Sequence, residues 1–178
     1  LHVTLLLFSG RGLAYVLPAD RVPQCSRPAK GTPVVQLLPI PREEAITSLL
    51  AVSEFNDDTD LLMLTQGGFI KRTRLSAFSN IRSNGLIAIG LEDGDALTWV
   101  RLSIPGDSVL IGSKAGMTIH FRLADGELRP LGRTARGVRS MNLRKGDSLV
   151  SMDVLPAELA DHIAASADEA EDGDDAGD

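Results

Sequence analysis

Aromatic residues and cysteines are scarce in this sequence of 178 residues. Only 4% of the residues are aromatic, so the core has to be built mainly from leucine, isoleucine and valine. The single cysteine, Cys25, excludes a disulfide framework within the chain and is typical of a reducing compartment. No apolar run approaches the roughly 20 residues that a membrane-spanning helix needs, and the run at residues 5–8 is too short for a signal peptide.

The net charge is unevenly distributed along the chain. The formal charge of −6 at pH 7 comes from residues 158–178, which hold nine acidic residues and no lysine or arginine. Residues 1–157 carry 18 basic residues against 15 acidic ones, a net charge of about +3. The segment 157–178 is therefore predicted to be an acidic tail, disordered apart from a brief helix at residues 157–167. This tail either solubilises the chain or competes with a polyanion for its basic residues.

Three segments of the chain repeat one pattern. Each starts with an apolar run and a glycine-containing turn, passes through a loop with basic residues to a second glycine, and ends in another apolar run. The first glycines are Gly12, Gly68 and Gly116, and the second are Gly31, Gly85 and Gly137. Because glycine readily takes a positive φ, two apolar runs around such a turn predict a β-hairpin.

A further strand is predicted after the second glycine of each repeat, because apolar residues occupy alternate positions there. These residues are Val35 and Leu37, Ile89 and Leu91, and Met141 and Leu143. Each repeat then has about four short strands in roughly 50 residues, the size of a propeller blade. An α-solenoid is excluded because no repeat sustains an apolar period of 3.6.

The predicted fold class is therefore all-β, with residues 1–156 forming three blades at residues 1–52, 53–102 and 103–156. Three blades are fewer than a closed propeller usually has, so the chain is expected to be part of a larger ring or spiral. It does not start with methionine, which favours excision from a longer protein.

Basic residues cluster around the second glycine of each repeat and on the strand that precedes the loop of the second repeat. They are Arg27 and Lys30, then Lys71, Arg72, Arg74 and Arg82, then Arg133, Arg136 and Arg139. Taken singly, each of these residues would be interpreted as an ordinary solvated charge. Their recurrence at the same position of each repeat instead predicts a curved cationic track that binds duplex DNA with strong salt dependence. A propeller-type scaffold for binding proteins is the alternative.

Three motifs carry a family resemblance. They are Gly-Gly-Phe-Ile-Lys-Arg-Thr-Arg-Leu-Ser-Ala-Phe at residues 67–78, Thr-Ala-Arg-Gly-Val-Arg at 134–139 with Leu-Arg-Lys-Gly-Asp at 143–147, and Gly-Thr-Pro-Val-Val-Gln-Leu-Leu-Pro-Ile at 31–40. In this order they resemble the C-terminal repeats of type II topoisomerase A subunits, those of DNA gyrase and topoisomerase IV. The resemblance covers residues 5–155.

The resemblance implies a β-pinwheel, a six-bladed propeller-like fold whose blades exchange hairpins and whose rim bends double-stranded DNA to support ATP-dependent supercoiling. It implies no catalytic residue here, because the family's active-site tyrosine lies in another domain, and no cofactor, because ATP and Mg belong to other parts of the enzyme. The implied partners are the remainder of the A subunit, together with the B subunit, in an A2B2 complex. The implied location is the bacterial cytoplasm, or a plastid if the source is a plant.

The sequence departs from the family in one motif. The gyrase box, Gln-Arg-Arg-Gly-Gly-Lys-Gly, is absent, and residues 24–31 keep only Arg27, Lys30 and Gly31 of it. Because the family carries the box in its first blade, the chain is expected to begin at the second. The one tyrosine, Tyr15, is expected to be structural, and the three histidines lack the partners that a metal site requires.

Overall fold

The computed structural model describes residues 2–173, which form eleven β-strands, three short 3-10 helices and one α-helix, and the predicted all-β class is confirmed. The strands are β1 (Thr4–Ser9), β2 (Leu13–Pro18), β3 (Ile46–Val52), β4 (Asp60–Thr65), β5 (Phe69–Arg74), β6 (Leu86–Ile87), β7 (Leu97–Ser103), β8 (Ser108–Ser113), β9 (Thr118–Arg122), β10 (Val138–Arg139) and β11 (Leu149–Leu155). The 3-10 helices are Ala19–Arg21, Val34–Gln36 and Leu75–Phe78, and α1 is Ala157–Gly173.

Each repeat contributes one long hairpin and one returning strand. The hairpins β1–β2, β4–β5 and β8–β9 are antiparallel and turn at the three glycines that the sequence predicted, all of which have a positive φ. The last strand of each repeat, β3, β7 or β11, pairs with the first strand of the same hairpin. Leu7, Met63 and Ile111 lie opposite Tyr15, Lys71 and Ile119, so the register is the same in all three hairpins.

A short strand from the following repeat completes two of the sheets. The second repeat supplies β6, which pairs with β2, and the third repeat supplies β10, which pairs with β5. The resulting strand orders are β3-β1-β2-β6 and β10-β5-β4-β7, while the third sheet, β11-β8-β9, has three strands within residues 2–173. Neighbouring repeats are therefore joined through backbone hydrogen bonds as well as through side-chain packing.

The strands predicted after the second glycines are shorter than expected, and one is wrong. Strands β6 and β10 contain two residues each and end before Ile89 and Met141. Residues 34–36 form a 3-10 helix rather than a strand, and no described strand pairs with them. Pro33 also lacks the N–H that a sheet hydrogen bond would need. Ile89 is buried in the core although it lies outside the sheet.

The central sheet is buried on both faces. On β4, Leu61 and Met63 pack toward the first sheet, and Leu62 and Leu64 pack toward the third. All six residues of β4 are buried, as are the first five of β5. A strand that is buried on both faces loses the usual alternation of apolar and polar residues.

The returning strands lie side by side, and the exchanged strands occupy the opposite edges of their sheets. Strand β3 packs beside β7, and β7 packs beside β11. Thr47 Oγ1 donates to the Leu97 carbonyl at 2.7 Å, which ties the first two returning strands together. The loops that lead into β6 and β10 therefore lie at the outer edges of the first and second sheets.

The helix α1 extends further than the sequence predicted. It continues past Ala167 to Gly173, so the expected disorder is wrong for residues 168–173, whereas residues 174–178 lie outside the described part. Its first turn is fixed by the buried Ala160, by an N–H donated from Ala157 to Asp107 at 3.3 Å, and by an ion pair between Arg122 and Asp161. These contacts anchor the start of α1 to the third sheet.

Candidate nucleic-acid interface

The exchanged strands place the predicted basic loops at equivalent edges of consecutive sheets. The loop before β6 carries the exposed Arg82 to the outer edge of the first sheet. The loop before β10 carries Arg133 and Arg136 to the outer edge of the second sheet, and β10 itself carries Arg139 there. Arg136 and Arg139 are exposed and Arg133 is half-buried. Three of the predicted residues are thus brought together on one edge.

Arg27 and Lys30 belong to the segment of residues 21–33, in which every residue is exposed. Neither side chain forms an ion pair with the residues that the structure describes. Their exposure leaves both cations open to an anionic ligand.

Arg136 and Arg139 converge on the ring of Phe69. Their guanidinium carbons lie 4.6 Å and 5.3 Å from the ring centroid, within the range of a cation–π interaction. Arg136 also pairs with Glu92. These contacts orient both side chains at the β4–β5 turn but leave them exposed, so they present a preformed pair of cations.

Lys71 does not belong to this surface, and its prediction as a DNA contact is wrong. Its side chain is completely buried, and Nζ donates to the carbonyls of Ala88 at 2.5 Å, Gly132 at 3.0 Å and Arg133 at 2.7 Å. An ammonium group has three N–H donors, and here all three are used. Lys71 therefore fixes the start of the loop that carries Arg133 and Arg136.

The burial of Lys71 makes stability depend on pH. Burial lowers the pKa of Lys71 from 10.5 to about 7, and the charge of Arg133 acts in the same direction. Between these two pH values the unfolded chain binds more protons than the folded chain, so stability rises with pH. We expect the unfolding free energy of the parent chain to rise, relative to that of Lys71→Met, by up to about 1.4 kcal/mol per pH unit.

Urea denaturation of both chains at about pH 6 and about pH 9 measures this difference. The exposed Lys30 provides the control, since Lys30→Met should leave the pH dependence of the parent chain unchanged. A parallel pH response in the parent chain and Lys71→Met would contradict the assignment.

Arg72 is also buried, so its prediction as a DNA contact is wrong for the same reason. Its side chain is 1% exposed, and Nη1 donates to the Leu123 carbonyl at 3.1 Å. Nε lies 3.4 Å from a carboxylate oxygen of Asp60, which is fully buried, and Nη2 contacts Asp125. Arg72 thus links the second sheet to the chain that follows β9.

Arg74, which is partly exposed, is committed to internal partners as well. Its Nη1 lies 3.3 Å from the Asp60 carboxylate and 3.2 Å from the Asp57 carbonyl. Burial raises the pKa of Asp60, and the guanidinium groups of Arg74 and Arg72 oppose that shift. The three residues form one charge network at the far end of β4 and β5.

Tyr15 occupies in the first sheet the place that Lys71 has in the second. It is buried, and its hydroxyl donates to Glu44 Oε2 at 2.8 Å. Burial, with the hydrogen bond to Glu44, raises the pKa of Tyr15 to about 12.

Within the part of the chain that the structure describes, no three histidine, cysteine or carboxylate side chains are grouped as metal ligands would be. No helix there is long and apolar enough to cross a membrane.

Consecutive antiparallel sheets, built from repeats of about 50 residues and joined by exchanged strands, define a repeat domain of the propeller class. Residues 4–53, 59–103 and 107–156 match the family model described as the DNA gyrase C-terminal domain, beta-propeller, and the chain belongs to that family.

Relatives and solved structures agree with this assignment. The chain is 56% identical to the DNA gyrase A subunit of Synechocystis sp. over 177 residues, which are 99% of this chain and 21% of that protein. It is 44% identical over 169 residues to the chloroplastic/mitochondrial DNA gyrase A subunit of Arabidopsis thaliana, covering 95% of this chain and 18% of the relative. The chain thus spans about a fifth of the length of these relatives.

Among solved structures, the C-terminal domain of DNA topoisomerase IV superposes with a TM-score of 0.75 at 27% identity, covering 86% of this chain and 47% of that one. The DNA gyrase A C-terminal domain superposes with a TM-score of 0.70, also at 27% identity, covering 85% and 47%. The resemblance inferred from the sequence motifs is confirmed.

Proposed function

We propose that this chain is a non-catalytic domain that binds and bends duplex DNA along its exchanged-strand loops. The observation that carries the proposal is the repeated placement of exposed arginines at the outer edges of successive sheets, Arg82 on the first and Arg136 and Arg139 on the second. Cations along an edge bind a phosphate backbone by releasing its condensed counterions, without reading the base sequence.

In the whole enzyme, DNA held in this way would present a neighbouring segment for strand passage and so support ATP-dependent supercoiling. The catalytic tyrosine, ATP and Mg would then be supplied by other parts of an A2B2 complex. The family assignment supports this role, and the net charge of about +3 in residues 1–157 is compatible with it. Arg27 and Lys30 extend the proposed surface into the exposed segment of the first repeat.

The test compares opposite edges of the second sheet. Arg139 lies on β10 at the outer edge, whereas Arg101 lies on β7 at the other edge. We expect Arg139→Gln to weaken binding to duplexes of any sequence and to reduce the slope of log K against log salt by about one. Arg101→Gln, with the same change in charge, should leave the slope unchanged.

Fluorescence anisotropy of a labelled duplex across a salt series gives both quantities. Adding Arg82→Gln and Arg136→Gln to Arg139→Gln should reduce the slope by about three. Two outcomes would reject DNA binding at the outer edges of the first and second sheets. One is binding that tolerates salt, and the other is a salt slope that the triple substitution leaves unchanged. It would favour the scaffold alternative instead.

A further inference from the structure

The three repeats share one arrangement of turns at the end of the fold where the hairpins reverse. In each, the hairpin turn is tied to the turn before the returning strand. The backbone N–H groups of Gly10, Gln66 and Lys114 donate to the carbonyls of Ala45, Ala96 and Ser148 at 3.0, 2.8 and 2.8 Å. These bonds make the turns equivalent residue by residue.

A carboxylate strengthens this connection in the second and third repeats. Asp95 Oδ1 accepts the N–H of Gly67 at 2.8 Å, and Asp147 Oδ1 accepts the N–H of Ala115 at 2.9 Å. Hydrogen bonding from Ser113 and from backbone N–H groups holds the pKa of Asp147 below its usual range. Both repeats therefore present their variable side chains on the same hydrogen-bonded arrangement of backbone.

The charges on this common backbone are opposite in the two repeats. Where the second repeat has Gln66, Glu92 and Asp93, the third has Lys114, Arg144 and Lys145. All six side chains are exposed. The exchange of one glutamine and two acids for three bases changes the local charge by five units, and the hydrogen bonds between the turns are kept.

The three cations of the third repeat surround one open hollow of about 380 Å³, lined also by Ala115, Gly146 and Asp147. None of the three forms an ion pair within the described part of the chain. Asp147 is the only acid in the lining, and its Oδ1 is occupied by two backbone N–H groups. The hollow therefore keeps a net positive charge and unused donors.

We propose that Lys114, Arg144 and Lys145 form a second phosphate-binding site that contacts the backbone of the bound duplex at the third repeat. This proposal rests on the proposed function. At the matching turn of the second repeat, Glu92 pairs with Arg136 and Asp93 adds a further negative charge, so that turn has no cation of its own. The third repeat thus supplies the cations at both turns, with Lys114, Arg144 and Lys145 at its own turn and Arg136 and Arg139 at the turn of the second repeat.

Lysine reactivity gives a direct test, because the chain has only four lysines: Lys30, Lys71, Lys114 and Lys145. Acetylation in the presence and absence of saturating duplex DNA, followed by mass spectrometry, reports on each of them. We expect DNA to protect Lys114 and Lys145. The buried Lys71 should be unreactive in both samples, which confirms that the chain stays folded. Full reactivity of Lys114 and Lys145 in the complex would overturn the proposal.

A matched pair of variants tests the same site through binding. Arg144→Gln with Lys145→Gln should reduce the salt slope by about two, whereas Arg21→Gln with Arg101→Gln, an equal change in charge, should not. Thermal melts of the parent chain and of both double variants serve as the control that these substitutions leave the fold intact. An unchanged slope in the first pair, with normal salt-dependent binding of the parent chain, would reject this site alone. A parent chain without salt-dependent binding would reject the proposed function instead.

Discussion

Replacing Gly137 by alanine is expected to destabilise the chain by about 3–5 kcal/mol. Gly137 has φ +93°, and an added Cβ would lie 2.9 Å from the carbonyl carbon of Ile70 and 3.0 Å from Lys71 Cβ, with the Ile70 carbonyl oxygen closer still. The clash is with backbone on β5, which cannot rotate away. Strand β10 would have to leave the sheet, together with the loop that Lys71 holds.

Gly116 provides the control for this prediction, because its φ of +83° is similar and no atom lies within 4 Å of the position of an added Cβ. Gly116→Ala should cost only about 1–2 kcal/mol, the strain of a left-handed alanine. Urea denaturation of the two variants separates backbone strain from the close approach of two repeats. Equal losses in both would show that β10 does not need a glycine for its contact with β5.

Arg72→Met is expected to cost about 3–5 kcal/mol, because it leaves Asp60 buried without its nearest buried counter-charge. Arg74 shares the same carboxylate but is 39% exposed, so Arg74→Met should cost about 1 kcal/mol or less. The contrast between the two variants isolates the effect of burial, since each removes one guanidinium group from the same network.

A double variant shows whether the charge network or packing is responsible. Asp60→Leu combined with Arg72→Met removes both buried charges, and its unfolding free energy should exceed that of Arg72→Met alone. Chemical denaturation at one pH measures all four chains. A double variant that is less stable than Arg72→Met would contradict the view that the loss comes from burying Asp60 without the charge of Arg72.

The hairpins and their turns could be predicted from the sequence because their determinants are local. Gly12, Gly68 and Gly116 stand between two apolar runs, and each takes the positive φ that the turn requires. The strand at residues 35–37 was wrong because two apolar residues at alternate positions do not supply a partner strand. Strand exchange could not be predicted from the local pattern either, because it depends on which sheet edge is reached by a segment that is distant in sequence.

The exposure expected of the candidate site residues agrees with the structure for those on loops or at a sheet edge and was wrong for those whose burial depends on packing. Arg82, Arg136 and Arg139 are exposed on loops or at a sheet edge, whereas Lys71 and Arg72 lie on a strand with sheets on both faces. The signal for their burial was the position of the second repeat between two others. Lys114 and Arg144 were missed because they are distant in sequence and meet only through the pairing of β8 with β11.

The exchanged strands have a consequence for cooperativity. Each of the first two sheets is closed by residues that belong to the next repeat, so the boundaries of the folding units are offset from those of the sequence repeats. Lys71 adds to this offset, since it bonds to Ala88 in its own repeat and to Gly132 in the next. Local opening of the third repeat is therefore expected to expose to hydrogen exchange the part of β5 that pairs with β10, so that protection in the second repeat depends on the third.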